Sequence, residues 1–172
     1  DMGRIMALAA KWGLRVVEDA CHGPLSVWEG RRLGTIGDIG CFSFFSNKNI
    51  STGEGGMMTF RDQALCERAK LLRSHGMTTT SYQRAGGHST QYDVIDLGYN
   101  FRMDDLRAAL GRVQLQRLPK DLEQRARVRN WYESRLAGLT EVTVPFAGHN
   151  GFVSNYIFVV SLKAGGAGRR DL

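Results

Sequence analysis

Residues 37–60, GDIGCFSFFSNKNISTGEGGMMTF, set two short runs, CFSFF and GGMMTF, on either side of a polar, glycine-bearing stretch. Each run is too short to form a helix that buries itself, and each is bounded by turn residues, so both are expected as strands. LRVVED, residues 14–19, is a third such run, β-branched at its centre and closed by two acids. Before it, MGRIMALAAKWG carries Ile5, Leu8 and Ala9 at helical spacing, with Trp12 continuing that face and Gly13 as a stop. Helix, brief turn and buried strand make half of an α/β unit. In such sheets ligands gather beyond the carboxyl ends of the strands, where Asp19 and His22 fall.

The remaining chain extends this pattern. WEGRRLGTIGDIG is rich in glycine and is read as turns. Its glycines at 34, 37 and 40 match neither dinucleotide-binding nor P-loop spacing, so no phosphate loop is assigned. DQALCERAKLLRSHG predicts a helix stopped by Gly76, followed by a long irregular connection to Asn100 that holds Tyr82, His88 and Tyr92. RMDDLRAALGRVQLQRL predicts another helix, with Asp104 and Asp105 in its first turn, and Pro119 is expected to begin a separate helix ending at Gly138. TEVTVP and NYIFVVSL read as strands. The change from alternating helix and strand to a long helix followed by strands places a domain boundary near 125, dividing 1–125 from 126–172. The chain opens on a helix without a preceding strand and closes on GGAGRRDL, which reads as part of a longer protein.

Composition narrows the functional classes. With 172 residues, 42% hydrophobic and 23% charged, the chain can bury a core, and disorder of the whole is excluded. No apolar run approaches the ~20 residues that cross a bilayer, and the first residues have the charge pattern of an amphipathic helix rather than a signal peptide. A soluble, cytoplasmic protein is expected. Cys21, Cys41 and Cys66 are odd in number and widely spaced, suggesting small buried hydrophobes rather than disulfides or a zinc site. The net charge of +6 comes largely from scattered arginines, which argues against nucleic acid and membrane and leaves an anionic ligand open.

The sharpest chemical signal is Lys48, a single amine between two asparagines at the end of an apolar strand. Strand-end Asp19, His22, Ser43, Lys48 and a glycine-rich turn are, together, the parts that a pyridoxal phosphate site requires. A partly desolvated lysine bonds the cofactor aldehyde, a carboxylate holds the charge on the pyridine nitrogen, and hydroxyl and backbone donors bind the phosphate. Taken singly each residue has a plainer role: Asp19 as a turn acid, His22 as a loop histidine, Ser43 as a buried hydroxyl, Asn100 as a helix cap.

VVEDACHG, GDIGCFSFFSNKNISTGEGG and LGYNFRMDDLRAALGRVQL resemble three successive signatures of the DegT/DnrJ/EryC1/StrS family of sugar aminotransferases. The resemblance implies an α/β fold of the fold-type I pyridoxal-phosphate-dependent transferases, like aspartate aminotransferase. Residues 1–125 would be the C-terminal part of the large cofactor-binding domain and 126–172 the start of a small α+β domain. It implies pyridoxal 5′-phosphate as cofactor, a nucleotide-linked keto sugar as acceptor, and glutamate as amino donor. Lys48 matches the lysine that bonds the cofactor and moves the proton, Asp19 the acid facing the pyridine nitrogen, His22 the position beside the ring hydroxyl, and Ser43 a phosphate ligand. Asn100 matches an asparagine that reaches the cofactor phosphate of a neighbouring subunit, implying a homodimer with shared sites. Alternatives are a non-catalytic interaction or regulatory relative, and a sugar dehydratase of the same family, in which histidine replaces the lysine.

Overall fold

The computed structural model describes residues 1–78, 92–146 and 151–163. Helix α1 spans Met2–Trp12, capped by Asp1, whose carboxylate accepts the Arg4 N–H at 3.0 Å, and stopped by Gly13 in the left-handed conformation. The chain then enters β1 (Val17–Asp19), a hairpin of β2 (Val27–Trp28) and β3 (Arg31–Arg32), β4 (Ile39–Ser43) and β5 (Gly56–Phe60). Helix α2 covers Gln63–Arg73 and α3 covers Asp105–Leu136; β6 (Val142–Thr143) and β7 (Ser161–Leu162) form a small antiparallel pair. The β2–β3 hairpin overlaps the start of the stretch read as turns. Glu29 and Gly30, both at positive φ, form its tight connection.

The principal sheet has the order β1-β4-β5. β1 runs parallel to β4, with Asp19 opposite Cys41, and β4 runs antiparallel to β5, with Ser43 opposite Gly56. Because β1 and β4 point the same way, Asp19 and Ser43 emerge at the same edge. The loop leaving β4 there carries Lys48 before it returns as β5. Beneath it, Ile50 packs with Leu118 and Leu122 of α3, flanked by Leu25 and Phe44.

Pro119 does not begin a new helix: α3 is continuous from Asp105 to Leu136 with Pro119 inside it. Proline in a helix interior removes one hydrogen bond and costs about 3 kcal/mol. Leu118 and Leu122, 1% and 0% exposed, sit one turn apart on either side of it, and burying each recovers about 1.5–3 kcal/mol. Their shared contact with Ile50 therefore keeps the helix running through the proline, and α3 crosses residue 125 without a break.

Other expectations change as well. NYIFVVSL contributes only Ser161–Leu162 to a ladder, and TEVTVP only Val142–Thr143, because a strand exists only where a partner strand completes its hydrogen bonds. The cap of α3 is Asp104, which accepts the Arg107 N–H at 2.8 Å, so Asn100 does not cap it. The three cysteines are half-buried rather than buried. In the described part of the connection after α2, Ser74 bridges Asn100 and Met77 bridges Val94. Tyr82 and His88 lie outside the described residues.

Candidate active site

Alternation along β1 separates its two acids. Glu18 turns inward and is 8% exposed, while Asp19 turns toward the open edge. A buried carboxylate must be satisfied by donors, and Glu18 accepts three: the N–H groups of Gly34 at 2.8 Å, Ile36 at 2.6 Å and Gly37 at 2.6 Å. The glycine-rich turn thus does wrap an anion, but the anion is the protein's own side chain. Gly34 has φ +80°, and a Cβ there would overlap the Phe42 ring, so the turn needs glycine to lie flat on β4.

Asp19 accepts the Cys21 N–H at 3.2 Å. Hydrogen bonds from the Cys21 side chain first, and from its backbone, hold the Asp19 carboxyl below the usual carboxylate range; desolvation opposes this, and attraction to His22 and Lys48 adds to it. The same contact pushes the Cys21 thiol up. Asp19 is therefore a carboxylate at neutral pH, facing a basic pair. Within that pair Lys48 Nζ lies 2.6 Å from His22 Nε2. The His22 ring stacks on Tyr156 with centroids 4.1 Å apart, and Lys48 Nζ stands 4.8 Å from the Tyr156 centroid. Ser43 ends β4 with its Oγ accepting the Phe45 N–H at 3.3 Å.

Asp19, His22, Ser43 and Lys48 thus converge on one edge of the sheet. Asn100 stands apart: its Oδ1 accepts from Arg102 Nε at 3.2 Å, and none of the other four is among its hydrogen-bond partners. The segment 152–156 joins the site from the far end of the chain, a placement no local pattern announces. The donor set suits pyridoxal phosphate. It offers an ionised carboxylate for a pyridinium nitrogen, a half-buried amine for an aldehyde, and a strand-end hydroxyl for a phosphate oxygen. Among the described residues no cluster of side chains suits a metal ion.

An α/β sheet that brings a lysine, an ionised aspartate and a histidine to one strand edge carries donors that suit a pyridoxal phosphate site. The chain belongs to the DegT/DnrJ/EryC1/StrS aminotransferase family, whose model matches residues 1–172. That family works with pyridoxal 5′-phosphate. The chain is 36% identical over 169 residues to the spore coat polysaccharide biosynthesis protein SpsC of Bacillus subtilis, covering 98% of this chain and 43% of that protein. It is 37% identical over 172 residues to the GDP-perosamine synthase of Caulobacter vibrioides, covering 99% of this chain and 44% of the relative. Among solved structures it is similar to Helicobacter pylori PseC, an aminotransferase involved in the biosynthesis of pseudoaminic acid. There the TM-score is 0.87 at 26% identity, over 95% of this chain and 42% of that one. The fold is accordingly that of fold-type I sugar aminotransferases, and the chain spans less than half the length of the relatives it matches.

Proposed function

We propose that this chain is the lysine-bearing part of a pyridoxal-phosphate-dependent aminotransferase that moves an amino group, from a donor such as glutamate, onto a nucleotide-linked keto sugar for polysaccharide or secondary-metabolite biosynthesis. The observation that carries the reading is the contact of Lys48 Nζ with His22 Nε2 at 2.6 Å, beside an Asp19 held ionised, in a chain of this family. The names of the relatives, a GDP-sugar synthase and a polysaccharide biosynthesis protein, support the sugar substrate. The presence of lysine at position 48 favours amino transfer over the dehydratase alternative.

Pyridoxal phosphate, when bound, supplies the electron sink that lets an amino group leave its donor and be taken up by the sugar. The chain's own residues do the rest. Asp19 would balance a ring-nitrogen proton, Ser43 Oγ would donate to the phosphate, His22 would hold the ring hydroxyl, and Lys48 Nζ would take and return the proton. In this reading residues 1–125 belong to the cofactor-binding domain and 126–172 begin the small domain, with α3 as the spine they share. A homodimer completes the site, with Asn100 reaching the cofactor phosphate of the neighbouring subunit. Leu97, Phe101 and Leu106, around Asn100, are 81%, 72% and 86% exposed, an apolar surface suited to a second chain. The same reading puts the protein in the cytoplasm with its nucleotide-linked substrate.

The test is pyridoxal phosphate binding followed by borohydride reduction and peptide mass mapping of the complete protein. One label per subunit on Lys48, absent from Lys48→Ala, is expected. A label confined to other lysines overturns the assignment.

A further inference from the structure

We infer that Ser154 is a positioning residue that sets His22 against Lys48 from 132 positions away in sequence. The inference rests on the reading of Lys48 as the reactive amine. Ser154 is 4% exposed and directs all three of its polar groups at loops of the site. Its N–H donates to Ser26 Oγ at 2.9 Å, its Oγ–H donates to the His22 carbonyl, and its own carbonyl accepts Asn49 Nδ2 at 2.9 Å. One serine thereby ties the backbone of His22 to the side chain of the residue following Lys48, holding both partners of the 2.6 Å contact.

The backbone turns between the two residues that meet His22: Asn155 lies in the left-handed region at φ 48°, and Ser154 and Tyr156 on either side of it both reach His22. Ser154 Oγ takes the His22 carbonyl, and the Tyr156 ring takes the His22 imidazole at 4.1 Å. With backbone and ring held together, the direction of Nε2 is set. Further anchors keep the segment in place: the Val27 N–H donates to the Phe152 carbonyl at 2.8 Å, and Arg129 Nη1 donates to Asn155 Oδ1 at 3.2 Å. His22 itself is exposed and Lys48 half-buried, so neither would be immobilised by its own surroundings.

The experiment is a double-mutant cycle in the complete protein, read as the yield of borohydride-fixed pyridoxal phosphate on Lys48 at sub-saturating cofactor, with thermal unfolding measured alongside. S154A should lower labelling by about two- to tenfold, the range spanned by one buried hydrogen bond. S154T, which keeps the hydroxyl and has a cavity of about 330 Å³ beside it for the added methyl, should restore it. In the H22A background, S154A should change nothing further, because the residue through which it acts is gone. An equal loss in both backgrounds, or wild-type labelling of S154A, overturns the inference. Should S154A fail to fold, Ser154→Cys, with a much weaker donor, takes its place in the cycle with the same expectations. Absence of label on Lys48 in the wild-type protein overturns the functional reading, a result separable from any failure of the cycle.

Discussion

His22 Nε2 and Lys48 Nζ lie 2.6 Å apart, a hydrogen-bond distance that fixes the lysine head group against the imidazole beside the Asp19 carboxylate. Replacing His22 by Ala releases a flexible four-carbon side chain, so cofactor affinity measured by fluorescence titration should weaken by about two- to tenfold. Unchanged affinity would show that the contact does not orient the amine.

Asp19 and Cys21 share a contact with opposite effects on the two groups: the carboxyl is held low and the thiol is pushed high. In Asp19→Asn the thiol loses its charge-assisted hydrogen bond to the carboxylate and the carboxylate's repulsion, and ionises more readily, so alkylation of Cys21 by iodoacetamide at mildly alkaline pH should accelerate. Mass mapping of the alkylated peptides reads this directly, and an unaltered Cys21 rate would contradict it.

The sign for acid stability follows from the same carboxyl. Its folded pKa lies below the ordinary 3.8, so the ionised form favours the folded state. That contribution is present at neutral pH and is lost as pH falls through the ordinary value and then the depressed one. Asp19→Asn should therefore flatten the acid limb of a stability-against-pH curve measured by urea unfolding.

Glu18 is buried and has three donors. Glu18→Ala leaves buried N–H groups of residues 34, 36 and 37 unpaired, at about 1–3 kcal/mol each, and should unfold the protein or lower its stability severely. Glu18→Gln keeps one oxygen but sets an amide donor against another donor, so an intermediate loss is expected. Equal stability of Gln and wild type in thermal denaturation would remove the charge from this account.

Leu122→Ala opens a cavity against Ile50 and Leu118, directly below the Lys48 loop, and should cost about 2–5 kcal/mol in chemical denaturation. Pro119→Ala acts in the opposite direction. It restores the missing helical hydrogen bond in a helix already continuous on both sides, and should raise stability by up to about 3 kcal/mol.

Much of the site can be read locally. A strand-end acid, a lysine after an aromatic strand and a glycine-rich return are each set by neighbouring residues, and the parallel register of β1 and β4 brings Asp19, Ser43 and Lys48 to one edge. The glycines of GTIGDIG are visible as a pattern, but their purpose is not, because the carboxylate they enclose comes from another strand. Pro119 misleads for the same reason: a proline stops a helix by local rules, and only Leu118 and Leu122 meeting Ile50 reverse that rule.

The sequence by itself determined the local units: where helices are capped, where short runs become strands, and which amine stands after β4. These follow from hydrogen-bond geometry and side-chain period over a few residues. Only the tertiary structure decided that Ser154 and Tyr156 belong to the site, that Glu18 fills the glycine turn, and that α3 runs unbroken. Each of these depends on contacts between residues far apart in the chain, whose free energy exists only once the chain has folded.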